Sequence, residues 1–386
     1  MSALIHYDPT VSGPAAHAII VGVGNYPHLL GGTGRVWNGH EDMGQLTSTP
    51  VSARAFADWL IDPERGYLDN GRRLKSVRLL LSEEFPQPYR NLATGIDHAV
   101  PAATLDTVDP AIKGWAREFS SEGDLAIFFF AGHGITTGIE QALLLERFGD
   151  ADNFAIGKDA IRFSGLTTGM KWMAPRDQWY ILDACRSYSK AHSRRYGGVG
   201  ESIIDPDPDK DFDGYLKQAV LNATLEGAPA YGRKGRTSVF TEALLQALEG
   251  GGSDDLTDPG DWRLYAGQIG HAVEFIVRRT ALRAGLGQKQ LPVSEGPGSL
   301  HIGKLRGNAP MVPIELCCTP DDATAMATFW FNKISWQPGQ PDPLVEFGDH
   351  EFMAAFEGGV FPNAVLARSI RPPYRRVAID LKGPDA

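Results

Sequence analysis

Two polar exits from apolar runs carry the chemistry in this sequence. "FFFAGHG" (Phe128–Gly134) passes through His133, and "WYILDACRSYS" (Trp179–Ser189) passes through Asp183, Cys185 and Arg186. A thiolate is a strong nucleophile, but free cysteine, with a pKa near ~8.5, is mostly thiol at neutral pH. A nearby imidazole raises the reactive fraction and returns the proton to a leaving group. His133 and Cys185, 52 positions apart, are therefore the candidate acid/base and nucleophile. Each has a plainer reading, a satisfied core histidine and a cysteine packed as a small hydrophobe. Those readings do not explain why both residues stand at polar strand ends.

The elements that must hold them alternate strand and helix over the first two-thirds of the chain. That alternation predicts a mainly parallel α/β sheet flanked by helices on both faces. Strands are expected over His17–Val23, Lys75–Ser82, Asp124–Gly134, Gln178–Leu182 and Leu216–Thr224, with a short β element at Gln141–Glu146. Helices are expected from Ser48 or Thr49 as cap with Pro50 in the first turn, and from Asp109 as cap with Pro110 next. Further helices are expected over Leu166–Met173, Ser238–Gly250 and from Asp261 to near Gly285. Adjacent parallel strands would deliver His133 and Cys185 to one carboxyl edge, where open α/β sheets bind ligands. The polar stretch from Ser187 to Tyr215 reads as an exposed loop. From about Met311 the texture changes to short aromatic and β-branched runs between Pro/Gly turns, predicting a small β-rich C-terminal domain.

Composition sets the surroundings. The 386 residues are 42% hydrophobic and 22% charged, ordinary for a soluble globular protein. A formal net charge of −10 gives no basic footprint for nucleic acid or an anionic membrane. Of the three cysteines, Cys317 and Cys318 are adjacent, so no disulfide framework arises, which fits a reducing compartment. The N-terminus lacks a signal-peptide pattern, and the run Leu125–Ala131 is too short to span a bilayer. A cytoplasmic protein is expected.

With "AGHG", "DACRS", "TSVFTEALLQAL" and "GQKQLP" in this order, the chain resembles the caspase-like cysteine peptidases, the metacaspase-like branch more closely than animal caspases. The resemblance spans roughly His17 to Lys304. The 52-residue interval agrees with the histidine placed about 50 residues upstream in caspases. The resemblance implies a peptidase domain over 1–304, with loop 187–215 between its large and small parts, and leaves 305–386 as the β-rich domain, of recognition or regulatory role. It implies catalysis by His133 and Cys185, an oxyanion hole from the backbone N–H groups of Gly134 and Cys185, and Asp183 in the pocket for the residue before the scissile bond. A partly buried carboxylate is costly unless paired with a cation, so Arg or Lys is the expected residue there and proteins with basic cleavage sites the expected partners. Family members often carry a second pocket acid, and Ser52 takes its position here. The resemblance also implies activation by a cut in the loop, after Arg194 or Arg195, with Lys190 and Arg233 to Arg236 as secondary sites, made by the enzyme itself or by an upstream activating protease.

No cofactor is required by this chemistry. Asp209, Asp211, Asp213 and Gly214 match the first half of a calcium loop, but Val220 stands where the closing acid belongs, so a solvated acidic loop is favoured over a calcium role. Two other classes stay open: a catalytically silent caspase-like scaffold, and a nucleotide-binding module suggested by "VGVGN", which lacks a third glycine in register.

Overall fold

The computed structural model describes residues 2–381 apart from 70, 138–139, 151–156, 190–198, 206–213, 225–233, 256–258, 284–289 and 308. A seven-stranded sheet positions everything else. Its strands are β1 (Leu4–Tyr7), β2 (Ala15–Val23), β3 (Arg73–Ser82), β4 (Leu125–Gly132), β8 (Asp177–Ala184), β10 (Lys217–Asn222) and β11 (Val293–Glu295). Their order is β1-β3-β2-β4-β8-β10-β11, with the five inner strands parallel and the two edges antiparallel. Every residue of β4, "LAIFFFAG", is buried, as befits a central parallel strand covered on both sides.

The two faces follow from the period of two along a strand. Ile127, Phe129, Trp179 and Ile181 point to one side, where α1 (Ser48–Ile61), α4 (Val239–Gln246) and α5 (Ala266–Arg283) close over them. Phe128, Phe130, Tyr180 and Leu182 point to the other, under α2 (Leu105–Ala116) and α3 (Phe163–Met170). Phe56 of α1 stacks on Phe129 with ring centroids 4.6 Å apart.

A second, four-stranded sheet joins β9 (Ser187–Tyr188), β5 (Gly134–Thr137), β6 (Glu140–Leu144) and β7 (Ala160–Arg162) in that order. The stretch expected to be loop from Ser187 therefore begins as a strand, paired with Ile135 and Thr136. Helix starts also differ from expectation. Thr47 is the cap of α1, so Ser48 and Thr49 lie inside it, and the Thr49 hydroxyl donates to the Val23 carbonyl at 2.6 Å. α2 starts four residues before Asp109, because Thr104 and Thr107 close its first turn, the Thr107 hydroxyl accepting from the Thr104 N–H at 3.1 Å. Pro110 then sits in the second turn at the cost of a ladder bond. Arg263–Tyr265, expected as helix, pairs instead with Ser253–Asp254 and His301–Lys304 before α5 begins.

From residue 311 to 381 the chain is built of strands joined by turns and short 3₁₀ helices. β12 (Met311–Thr319), β15 (Leu344–Glu346) and β18 (Arg375–Asp380) form one sheet, ordered β15-β12-β18. β13 (Ala327–Phe331), β14 (Ile334–Trp336), β16 (Gly348–Phe356) and β17 (Ala364–Ile370) form the other, ordered β14-β13-β16-β17. Between them lies a separate core that includes Ile314, Leu316, Phe329 and Phe352. Arg279 of α5 reaches Glu315 at 2.8 Å, tying this unit to the larger one.

Phe129→Ala should destabilise the protein by about 3–5 kcal/mol, since it empties a fully packed site against Phe56. Urea unfolding followed by tryptophan fluorescence measures this, and a loss below about 1 kcal/mol would contradict the packing described.

Candidate active site at the carboxyl edge of the sheet

β4 and β8 pair from Leu125↔Asp177 to Gly132↔Ala184, a constant offset of 52 residues. Beyond the edge, β5 and β9 pair as Ile135↔Ser187 and Thr136↔Tyr188, with the same offset. His133 and Cys185 thus stand at one level between two clamped stretches of neighbouring chain, about 4.8 Å apart in strand spacing. The interval seen in the sequence is the register of the sheet. Gly134 follows because nothing larger fits: a Cβ there would lie 2.4 Å from the Cys185 carbonyl oxygen.

The histidine is held from three sides. Its backbone N–H donates to the Tyr26 hydroxyl at 2.8 Å, and that hydroxyl donates on to the Leu144 carbonyl at 3.2 Å. The Tyr26 ring lies 4.9 Å from the imidazole, tilted against it. Imidazole Nε2 contacts the Gly44 carbonyl at 2.7 Å. A carbonyl only accepts, so this bond puts the ring proton on Nε2 and leaves the lone pair on Nδ1. Burial holds the imidazole well below its ordinary value, at about 4, against the opposing pull of the Gly44 carbonyl. At neutral pH it is an uncharged base.

Gly44 is delivered by Gln45, a residue that sequence reasoning passed over, as it did Tyr26. The Gln45 side chain accepts from the Tyr26 N–H at 2.8 Å and donates to the Tyr26 carbonyl at 2.9 Å. It donates also to the Leu30 carbonyl at 3.1 Å, so residues 41–46 are clasped to the turn after β2. "VGVGN" is the end of β2 and the start of that turn: Gly24 leads toward Tyr26, and a Cβ on Gly24 would strike the Leu46 carbonyl oxygen at 2.2 Å.

Asp183 points to the opposite face from Leu182, between α1 and the start of α4, and is buried. Its carboxylate accepts from the Ser238 hydroxyl at 2.5 Å and the Thr241 hydroxyl at 2.7 Å. Ser52, the residue aligned with the second family acid, also hydrogen-bonds it. Ser238 is the cap of α4, its oxygen accepting from the Thr241 N–H, so the positive end of that helix faces the carboxylate. Burial pushes the Asp183 carboxyl up, and the three hydroxyls oppose the shift. No Lys or Arg pairs with it among the described residues. Arg186 turns away to Glu295 at 3.2 Å.

Other expected residues are not brought into this picture. Lys190, Arg194, Arg195 and Arg233 lie outside the described residues, as do Asp209, Asp211 and Asp213 of the half calcium loop. Lys234, Arg236 and Gly214 are exposed. Cys317 and Cys318 are buried in β12 of the C-terminal unit. Among the described residues no helix is long and apolar enough to cross a membrane.

Residues 15–295 match the family model of the caspase domain, and the chain belongs to that family. It is 25% identical over 221 residues to a probable protease of a Desulfuromonadales bacterium, covering 55% of this chain and 24% of that protein. It is 24% identical over 218 residues to an uncharacterized protein of Sinorhizobium fredii, covering 51% of this chain and 58% of that one. The chain thus spans from about a quarter to somewhat over half of the curated relatives it matches. Among solved structures it is similar to a Geobacter sulfurreducens protein, at TM-score 0.41 and 14% identity, covering 74% of this chain and 94% of that one. It is similar also to caspase-1 of Spodoptera frugiperda, at TM-score 0.39 and 13% identity, covering 73% and 86%.

The His133 geometry makes a pH prediction. The unfolded imidazole takes a proton near 6.5, but the folded one resists until about 4. Between those values the unfolded state binds more protons, so this residue makes stability fall as pH drops through the window. Histidine-selective NMR should show a titration midpoint near 4, and His133→Gln should shed this part of the acid sensitivity. A midpoint near 6.5 would contradict the burial and the Gly44 contact.

Proposed function

We propose that this chain is a cysteine endopeptidase that uses Cys185 as nucleophile and His133 as acid/base, cutting after Arg or Lys. The observation that carries the reading is the shared 52-residue offset on both sides of the pair, which sets the two side chains level at the carboxyl edge of a parallel sheet.

In this reading Nδ1 of neutral His133 takes the Cys185 proton as sulfur attacks the scissile carbonyl carbon. The oxygen becomes an oxyanion, received by the backbone N–H groups of Gly134 and Cys185. The intermediate collapses with loss of the amine, which takes the proton back from the imidazolium, and an acyl-thioester remains. Water, deprotonated by the same imidazole, attacks that ester and releases the acid and the thiol. The Gly44 carbonyl keeps Nε2 as the donor throughout and so keeps Nδ1 as the base.

Asp183 gives the pocket its preference. Its hydroxyl partners stabilise the carboxylate without neutralising it, so a guanidinium or ammonium entering from the substrate supplies the missing charge. Cleavage of the chain after Arg194 or Arg195 is the proposed activating step. The C-terminal unit, residues 305–386, then serves recognition or regulation rather than chemistry.

Mass-spectrometric mapping of cuts in a proteome-derived peptide library tests the activity. Cleavage should depend on both side chains, Cys185→Ala and His133→Ala each reducing it by about a thousandfold or more. Activity above roughly a tenth of the parent in either variant would remove the dyad. No cleavage by any form of the chain, cut or uncut, would favour a silent scaffold.

The same library reads specificity. Arg and Lys should dominate before the cut and Asp should be absent there. Asp183→Asn keeps the size and one oxygen to accept from the Ser238 and Thr241 hydroxyls but removes the charge, so it should lose the basic preference while folding normally. Undiminished cleavage after Arg by Asp183→Asn would show that this carboxylate is structural.

A further inference from the structure

We propose that the cleft between β17 and β18 docks an extended acidic peptide segment of a partner protein. The two strands end different sheets, and among the described residues neither pairs with a further strand on its outer side. Between them lies a cavity of about 610 Å³ whose lining includes Arg368, Arg371, Arg375 and Arg376. That volume falls within the roughly 300–1,000 Å³ of ordinary ligand sites.

The charges there are out of balance. Arg376 meets Asp321 at 3.1 Å and Arg371 meets Asp255 at 3.5 Å. Arg375 donates to the main-chain carbonyls of Arg371 and Pro372 at 3.0 and 3.3 Å. Among the described residues neither Arg375 nor Arg368 forms an ion pair. Asp349 and Glu351 of β16 pair with Ser369 and Ala367 of β17 but do not line the cavity. A chain of net charge −10 has gathered four guanidiniums into one hollow, where Asp321 and Glu315 act on Arg376 and Asp255 on Arg371.

Charge and backbone together select the occupant. Guanidinium forks hold carboxylates with two parallel hydrogen bonds. An open strand edge offers alternating N–H and C=O groups, which an added peptide strand satisfies while its alternate side chains enter the cleft. A nucleic acid would bring phosphates for the arginines but no backbone of alternating N–H and C=O groups to extend the strand edge. Among the described residues no aromatic ring lines the cavity for a base to stack on.

Fluorescence anisotropy on the full chain tests this. The probe is a short labelled peptide alternating Glu and Val, beside its Gln–Val counterpart, oligothymidylate and phosphatidylserine vesicles. The Glu–Val peptide should bind about tenfold or more tightly than the Gln–Val one, with affinity falling as salt rises. Arg368→Ala/Arg375→Ala should weaken it by about tenfold, the size of a lost charge-assisted hydrogen bond, while Arg368→Lys/Arg375→Lys keeps part of the affinity. An unchanged thermal midpoint and unchanged peptidase activity separate this from misfolding. Equal affinity for the two peptides, undiminished binding by the alanine variant, or tighter binding of oligothymidylate or vesicles would each overturn the proposal.

Discussion

The unbroken register between β4 and β8, resumed between β5 and β9, is the constraint on which the site depends. Parallel strands leave a sheet edge side by side, and here the chain does not diverge at once. It pairs again three residues later, so His133 and Cys185 are pinned at both ends. A one-residue slip of β4 would turn Phe129 out of one core and Phe128 out of the other, breaking both at once. Hydrophobic packing far larger than any polar contact in the site therefore fixes where the sulfur and the imidazole stand. Precision at the edge is inherited from the middle of the sheet.

Polar contacts then choose states rather than positions. The Gly44 carbonyl selects the His133 tautomer, and Tyr26 bridges the His133 backbone to Leu144. Gln45 holds the loop that makes the first of these possible. None of these residues is itself a base or nucleophile in the proposed reaction, yet each narrows what His133 does.

Much of this was legible in the sequence because it follows from local rules. Uniformly apolar "LAIFFFAG" had to be a doubly covered strand, and the polar exits had to lie at its end and at that of its neighbour. The parts that were not legible are tertiary. Nothing local marks the Gly44 carbonyl, since any residue has one, and Tyr26 and Gln45 matter only through a loop closure. Asp109-Pro110 looked like a helix start because its composition is that of one, yet Thr104 and Thr107 capped four residues earlier. Ser187–Tyr188 is too short and too polar to read as a strand; its partner β5 makes it one.

Burial acts on the two ionisable groups at this edge in opposite chemical directions with one electrostatic result. Desolvation lowers the His133 imidazole and raises the Asp183 carboxyl, so both move toward the uncharged form. The hydroxyls of Ser52, Ser238 and Thr241 and the start of α4 work against that for Asp183, favouring its carboxylate form. For His133 the Gly44 carbonyl works the same way, but burial outweighs it. On the proposed reading, an edge that resists positive charge at His133 yet stabilises negative charge at Asp183 suits a substrate that brings its own cation. On the proposed reading the same substrate, once bound, displaces the water that would otherwise screen the pair.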